Sequence, residues 1–261
     1  MNIIKLLLLT LSFNPIVALA NHSKIEVDSL TFTPLKASEN QVQHLNLGFS
    51  NTTGNTQNLD VNAKYDFSST LTPYNKKALK IIFDSSLFFT KTDSTKTNEE
   101  YLLNLALEQE LGKEWLSYFT LNWLRNPEFK NYNHKISTGA GLGKNLYFDG
   151  QRSLTLKVGA SLNSENYANT QATEDFSSLN EYLEYNNQLN KISKLYTKVG
   201  ALQNFEAFNE DYQFISILGV NFNVGEKVSL NIEQEIAYDN LPPLGFKKTD
   251  TKSIVRLGYQ F

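Results

Sequence analysis

Apolar and polar residues alternate along most of the chain. Leu45, Leu47 and Phe49 are interleaved with His44, Asn46 and Gly48, and Leu59, Val61, Ala63, Tyr65 and Phe67 with Asp60, Asn62, Lys64 and Asp66. Tyr101, Leu103, Leu105 and Leu107 share one parity, Asn104, Glu108 and Glu110 the other. The same pattern returns in Leu154, Leu156, Val158, Ala160 and Leu162, in Phe214, Leu218, Val220, Phe222 and Val224, in Val228, Leu230, Ile232, Ile236 and Tyr238, and in Val255, Leu257, Tyr259 and Phe261. A period of two marks strands with one apolar face. No stretch of similar quality shows a helical period. The pattern predicts about twelve strands, at 41–51, 56–67, 77–90, 99–111, 115–125, 131–146, 152–163, 178–189, 194–204, 211–224, 227–239 and 250–261. Most are near the 9–11 residues that a tilted strand needs to cross a bilayer, and longer than the five or six usual in soluble sheets.

The connections alternate in length. Gly112-Lys113-Glu114, Asp149-Gly150-Gln151, Asn190 to Ser193 and Gly225-Glu226-Lys227 read as tight turns, with longer polar loops at 91–98, 126–130, 164–177, 205–210 and 240–249 between them. Two connections depart from this rule: 51–55 is short and 68–76 is long. Short turns at one end and long loops at the other are the pattern of outer-membrane barrels. The expected fold is therefore an all-β, antiparallel, up-and-down transmembrane β-barrel spanning 41–261, with both termini periplasmic. Closure would satisfy every backbone group and leave no sheet edge. Leu156, Val158, Leu218, Val220, Leu230 and Leu257 would face lipid, with Thr155 and Asn221 in the lumen. Tyr65, Phe67, Trp115, Trp123, Phe148 and Tyr238 would form the interfacial girdles.

The N-terminus supports export. Lys5 precedes the apolar run Leu6 to Leu11, and Ala18-Leu19-Ala20 is a small-x-small cleavage site. Residues 1–20 read as a signal peptide and 21–40 as a periplasmic tail. The closing Gly258-Tyr259-Gln260-Phe261 resembles the terminal signal read by the outer-membrane barrel assembly machinery, with Tyr259 and Phe261 as its key residues.

Composition removes several chemistries. The chain has 261 residues, 24 Lys and Arg against 27 Asp and Glu, a net charge of −3 and no Cys. A near-neutral chain gives no electrostatic reason to expect nucleic acid, and without Cys there is no disulfide, thiolate ligand or cysteine nucleophile. His22, His44 and His134 lack metal-ligand spacing, and no base is spaced to orient a nucleophile. Neither a cofactor nor an enzymatic activity is expected. Gly139, Gly141 and Gly143 lack the Lys-Ser/Thr of a phosphate loop, and on a strand they would make room in the lumen or permit curvature.

Folding each hairpin about its turn brings opposite charges together: Glu110 with Lys80, Glu184 with Lys198, Glu235 with Lys252 and Glu233 with Arg256. These eight residues are the expected lumen-lining charges. They fit either a narrow aqueous pathway or a polar core that is effectively closed, because twelve strands lie between barrels filled by side chains and barrels that leave a channel. The long external loops leave a surface binding module open as an alternative, and an outer-membrane hydrolase as a further one.

From Leu45 to Phe261 the chain resembles the salt-induced outer membrane protein family, the YdiY-like domain of unknown function. The resemblance is carried by Asn51-Thr52-Thr53-Gly54-Asn55-Thr56, by Trp115 with Trp123, by Gly139-Ala140-Gly141-Leu142-Gly143, by Leu241-Pro242-Pro243-Leu244-Gly245 and by Lys247-Lys248-Thr249-Asp250. The chain departs from the family at Lys144 and at Ala160-Ser161-Leu162. The resemblance implies a barrel in the outer membrane of a Gram-negative bacterium, in contact with its lipid, with no defined biochemical role.

Overall fold

The computed structural model describes residues 41–261 except 54–57, 72–76, 93–94, 113, 128–129 and 243–246. The expected signal peptide, the periplasmic tail and His22 lie outside the described residues.

Twelve strands form one sheet: β1 (Gln41–Thr53), β2 (Asn58–Leu71), β3 (Leu79–Thr92), β4 (Thr95–Gly112), β5 (Trp115–Asn126), β6 (Tyr132–Phe148), β7 (Arg152–Tyr167), β8 (Thr173–Gln188), β9 (Ser193–Asn204), β10 (Tyr212–Asn223), β11 (Val228–Asp239) and β12 (Thr249–Gln260). Each strand pairs antiparallel with its sequence neighbours, and β1 pairs with β12 to close the barrel. At the seam Leu47 lies opposite Leu257, and the Phe261 N–H donates to the Gln43 carbonyl at 3.1 Å.

The period-two pattern determines which side chains face out. Leu47, Val61, Leu142, Leu162, Leu218 and Leu257 are each more than half exposed. Their sequence neighbours Asn62, Ser161, Asn163 and Arg256 are buried inside. A soluble fold would bury the first set, so the pattern is inverted: polar within, apolar without. Trp115, Phe148 and Tyr259 are exposed on the outside at the end with the short turns, while Trp123 and Tyr238 face outward at the other end.

Several strands run further than the hydrophobic pattern predicts, β2 to Leu71 among them. β4 starts at Thr95, β7 continues to Tyr167 and β8 starts at Thr173, so the expected loops 91–98 and 164–177 are mostly hairpin arms. Polar residues pair in a ladder as well as apolar ones do where no bilayer demands an apolar face. The β3 and β4 arms therefore pair as far out as Thr92 opposite Thr95, with a bulge at Thr90/Lys91.

The β6–β7 turn shows how local chemistry fixes a hairpin. Gly150 has φ +87, which suits a residue without Cβ. Asp149 accepts from the Tyr147 hydroxyl at 2.7 Å, from the Arg152 backbone N–H at 2.7 Å, from the Gln151 backbone N–H at 3.0 Å and from Arg152 Nε at 2.8 Å. The Tyr147 hydroxyl first, then the two backbone N–H groups, hold its carboxyl well below the usual carboxylate range.

Candidate functional site

The interior has two halves of different character. Towards the loop end it is packed. Leu102, Leu124, Tyr132 and Tyr167 form a buried cluster in which the two tyrosine rings stack at 5.7 Å. Around it run buried ion pairs. Lys135 Nζ lies 3.0 Å from Glu165 Oε1. Glu100 binds Lys130 at 3.2 Å and Lys252 at 3.6 Å, and accepts from Asn126 Nδ2 at 2.9 Å. Glu100 stands on β4 and Lys252 on β12, so this contact crosses the lumen between strands four apart in the ring. Lys130 comes from the β5–β6 connection, which turns into the mouth. There Asn131, at φ 65, accepts from the Ala168 and Asn169 backbone N–H groups. A buried charge is tolerated only with such partners, and together these groups fill the loop half.

Three long side chains lie flat against the wall because the strand beneath them carries glycine. Arg256 on β12 crosses β1 at Gly48 and donates from Nε to Asn62 Oδ1 on β2 at 2.9 Å; a Cβ on Gly48 would meet Arg256 Cγ at 2.8 Å. Tyr196 on β9 crosses β10 at Gly219. Its hydroxyl reaches Glu233 and accepts from Asn231 Nδ2 at 2.9 Å, both on β11. Tyr118 on β5 lies over Gly141 and Gly159, and its ring meets Tyr182 on β8 edge-on at 6.4 Å. The lumen-facing placement of Gly139, Gly141 and Gly143 has this use in part: the ring takes the space that a side chain would occupy.

Towards the turn end the interior opens into a cavity of about 790 Å³. Its rim is formed by the turns at Gly150–Gln151, Asn190–Ile192 and Gly225–Lys227, and its wall by inward residues including His44, Lys64, Asp66, Lys194, Asn221 and Glu233. Lys64 Nζ lies 2.9 Å from Asp66 Oδ1, and Arg256 pairs with Glu233. Asp84 on β3 and Lys198 on β9, six strands apart in the ring, are within each other's electrostatic reach across this space. The cavity is a cup at the turn end, lined mostly by polar residues.

The structure places the residues singled out from sequence as follows. Glu184 lies opposite Lys198 in the β8–β9 register. Glu235 lies opposite Lys252, 4.0 Å away, and Glu233 reaches Arg256 diagonally. Glu110 and Lys80 do not meet. Lys80 lies opposite Glu108, and Glu110 sits exposed near the turn end, its Oε2 accepting from the Ala78 N–H at 3.3 Å. The reason is the β3–β4 register, which pairs Thr92 with Thr95 and sets Lys80 two residues away from Glu110. Tyr259 and Phe261 are exposed and their rings meet edge-on at 5.1 Å. His44 lines the cup, whereas His134 is outside, its ring 6.1 Å from that of Trp123. Among the described residues no cluster of His, Cys, Asp and Glu could hold a metal ion. Sequence reading missed Glu100, Lys130, Glu108 and Lys157. Lys157 on β7 binds Glu108 on β4 across the lumen, and only their inward parity could have hinted at it.

Among solved structures, the barrel is similar to the NanC porin, with TM-score 0.52 and 5% identity over 82% of this chain and 98% of that one. It is also similar to an outer membrane channel from Pseudomonas putida F1, with TM-score 0.51 and 12% identity over 91% of this chain and 100% of that one. At such identities the likeness shows the fold alone. No match is found among curated proteins. A family model described as "Protein of unknown function, DUF481" matches residues 45–261.

Proposed function

The chain belongs to the DUF481 family, and from its apolar outside and polar inside we propose that it is an integral outer-membrane barrel of the Gram-negative envelope that does not stand open as a pore. The short turns and both ends of the barrel face the periplasm and the longer loops face outward. In this reading outer-membrane lipid covers the belt of Leu47, Val61, Leu142, Leu218 and Leu257, and the barrel assembly machinery reads Tyr259 and Phe261. The resemblance to the salt-induced, YdiY-like proteins belongs to the same proposal.

One observation supports the closed state: Glu100, Lys130, Lys252, Lys135, Glu165, Tyr132 and Tyr167 fill the loop half of the lumen. The polar cup at the turn end supports the second reading, a narrow pathway that conducts when the packed half rearranges. Planar-bilayer recording of the purified, refolded protein separates the two. The proposal expects no steady open level; porin-like steps in the unmodified protein would overturn it. The proposal includes no catalytic role, and lipase and protease assays in detergent test that. Membrane fractionation tests location: recovery wholly in the soluble periplasm would sink the reading.

A further inference from the structure

Lys144 is a cation on the outer face of the barrel. On β6 it lies opposite Trp115 of β5 and Leu156 of β7. Both partners are exposed on the outside, as is Leu142 two residues along β6. The Asn145 N–H donates to the Glu114 carbonyl at 2.8 Å. Lys144 therefore stands level with the β4–β5 turn, where the apolar belt ends and lipid headgroups would begin. Its ammonium leans over the Trp115 ring, 5.3 Å from the centroid. Among the described residues no carboxylate pairs with Lys144, and neither its ammonium nor Trp115 Nε1 has a hydrogen-bond acceptor. Two other outward cations at this end also sit on rings, but in other company. Arg152, beside Tyr147, is held by Asp149, and Lys227, beside Tyr259, directly follows Glu226. The loop end is built differently: Trp123 meets His134, and Tyr212 meets Tyr238.

We propose that Lys144 and Trp115 form a binding site for the headgroup of an anionic phospholipid in the leaflet at the turn end. The lipid phosphate would accept from the Lys144 ammonium and from Trp115 Nε1, with its acyl chains along Leu142 and Leu156. Three effects favour this occupant. An ammonium at an apolar face needs a counter-charge. A phosphate oxygen offers it a charge-assisted hydrogen bond, the stronger class. A Trp ring sits at the headgroup level, its body towards the chains and its N–H towards the polar layer. A zwitterionic lipid is the weaker ligand, because its own ammonium already neutralises the phosphate. The proposal rests on the reading of an integral membrane barrel and names the lipid that this part of its surface selects.

The chain has two Trp, so a Trp123→Phe barrel reports through Trp115 alone. It is refolded into vesicles of phosphatidylcholine and phosphatidylglycerol, with the acyl chains of one lipid or the other brominated to quench a nearby Trp. Quenching should show phosphatidylglycerol favoured at Trp115 by about fivefold over phosphatidylcholine. Lys144→Gln should remove the preference and Lys144→Arg should restore it. Lys227→Gln removes the same charge on the far side of the ring and should leave the preference unchanged. Equal quenching by the two lipids would overturn the proposal, and that comparison needs no change at Lys144. A preference that survives Lys144→Gln, or one that Lys227→Gln abolishes as well, would also overturn it. The parent reading fails differently: if neither lipid quenches Trp115, this face does not meet a bilayer and both readings fall.

Discussion

Substituting Gly219 by Ala tests whether glycine makes the lumen wall. A Cβ at this position would lie 2.1 Å from Tyr196 Cζ and 2.3 Å from its Oη, far inside carbon–carbon contact at about 3.5 Å. The ring, which is 2% exposed, would have to leave β10. It would give up the Asn231 bond and its bond to the Glu233 carboxylate. Overpacking costs about 1–3 kcal/mol, and a hydrogen bond to a charged group is worth about 1.5–3 kcal/mol. With partial relaxation of the ring, Gly219→Ala should destabilise by roughly 3 kcal/mol. In a Tyr196→Ala background the clash is gone, and a Gly to Ala change in a strand is then favourable by about 0.5–1 kcal/mol. The double-mutant cycle should therefore show a coupling of about 3 kcal/mol or more. Urea unfolding in lipid vesicles, followed by tryptophan fluorescence, measures all four corners. If Gly219→Ala costs the same with and without the tyrosine ring, the ring does not depend on that glycine and the account of the wall is wrong.

The inside–outside assignment predicts that Leu218→Arg costs about 2–4 kcal/mol at mid-bilayer, while Asn221→Arg on the same strand but the opposite face costs much less; equal losses in vesicle unfolding would refute it. Arg256→Glu places a carboxylate beside Glu233 and should strongly destabilise the barrel, and adding Glu233→Arg should recover part of the loss; strictly additive effects on the melting temperature would mean that the two do not act as a pair. Glu100→Ala removes the acceptor shared by Asn126, Lys130 and Lys252, so it should lower stability by about 3–5 kcal/mol and produce intermittent conductance; destabilisation without conductance would show that this network is not the seal. The Asp149 carboxyl is held below the usual range, so its contribution to the β6–β7 turn is present above the ordinary value of about 3.9 and is lost as pH falls; the Gln151 and Arg152 amide resonances should titrate below that value, and a midpoint at about 3.9 would refute it.

The sequence by itself determined the strand count, the antiparallel order and the faces, because side chains alternate with a fixed period of two. Leu218 outside and Asn221 inside follow from parity alone, as do the diagonal Glu233–Arg256 pair and the β8–β9 register of Glu184 and Lys198. Contacts between adjacent strands are local once a tight turn is located. Where the expected loop 91–98 proved to be mostly hairpin arm, the Glu110–Lys80 pairing failed with it, since polar hairpin arms and polar loops look alike in one dimension. The division of the lumen into a packed half and an open cup was decided only by the tertiary structure. It depends on Glu100 with Lys252, Glu108 with Lys157 and the inward turn of Lys130, contacts that cross between strands several places apart in the ring. It depends also on Leu102, Leu124, Tyr132 and Tyr167, inward residues that a hydropathy stripe would assign to no apolar face. Barrel closure brings these groups together across an interior whose width and shear are properties of all twelve strands at once, and no single hairpin contains that information.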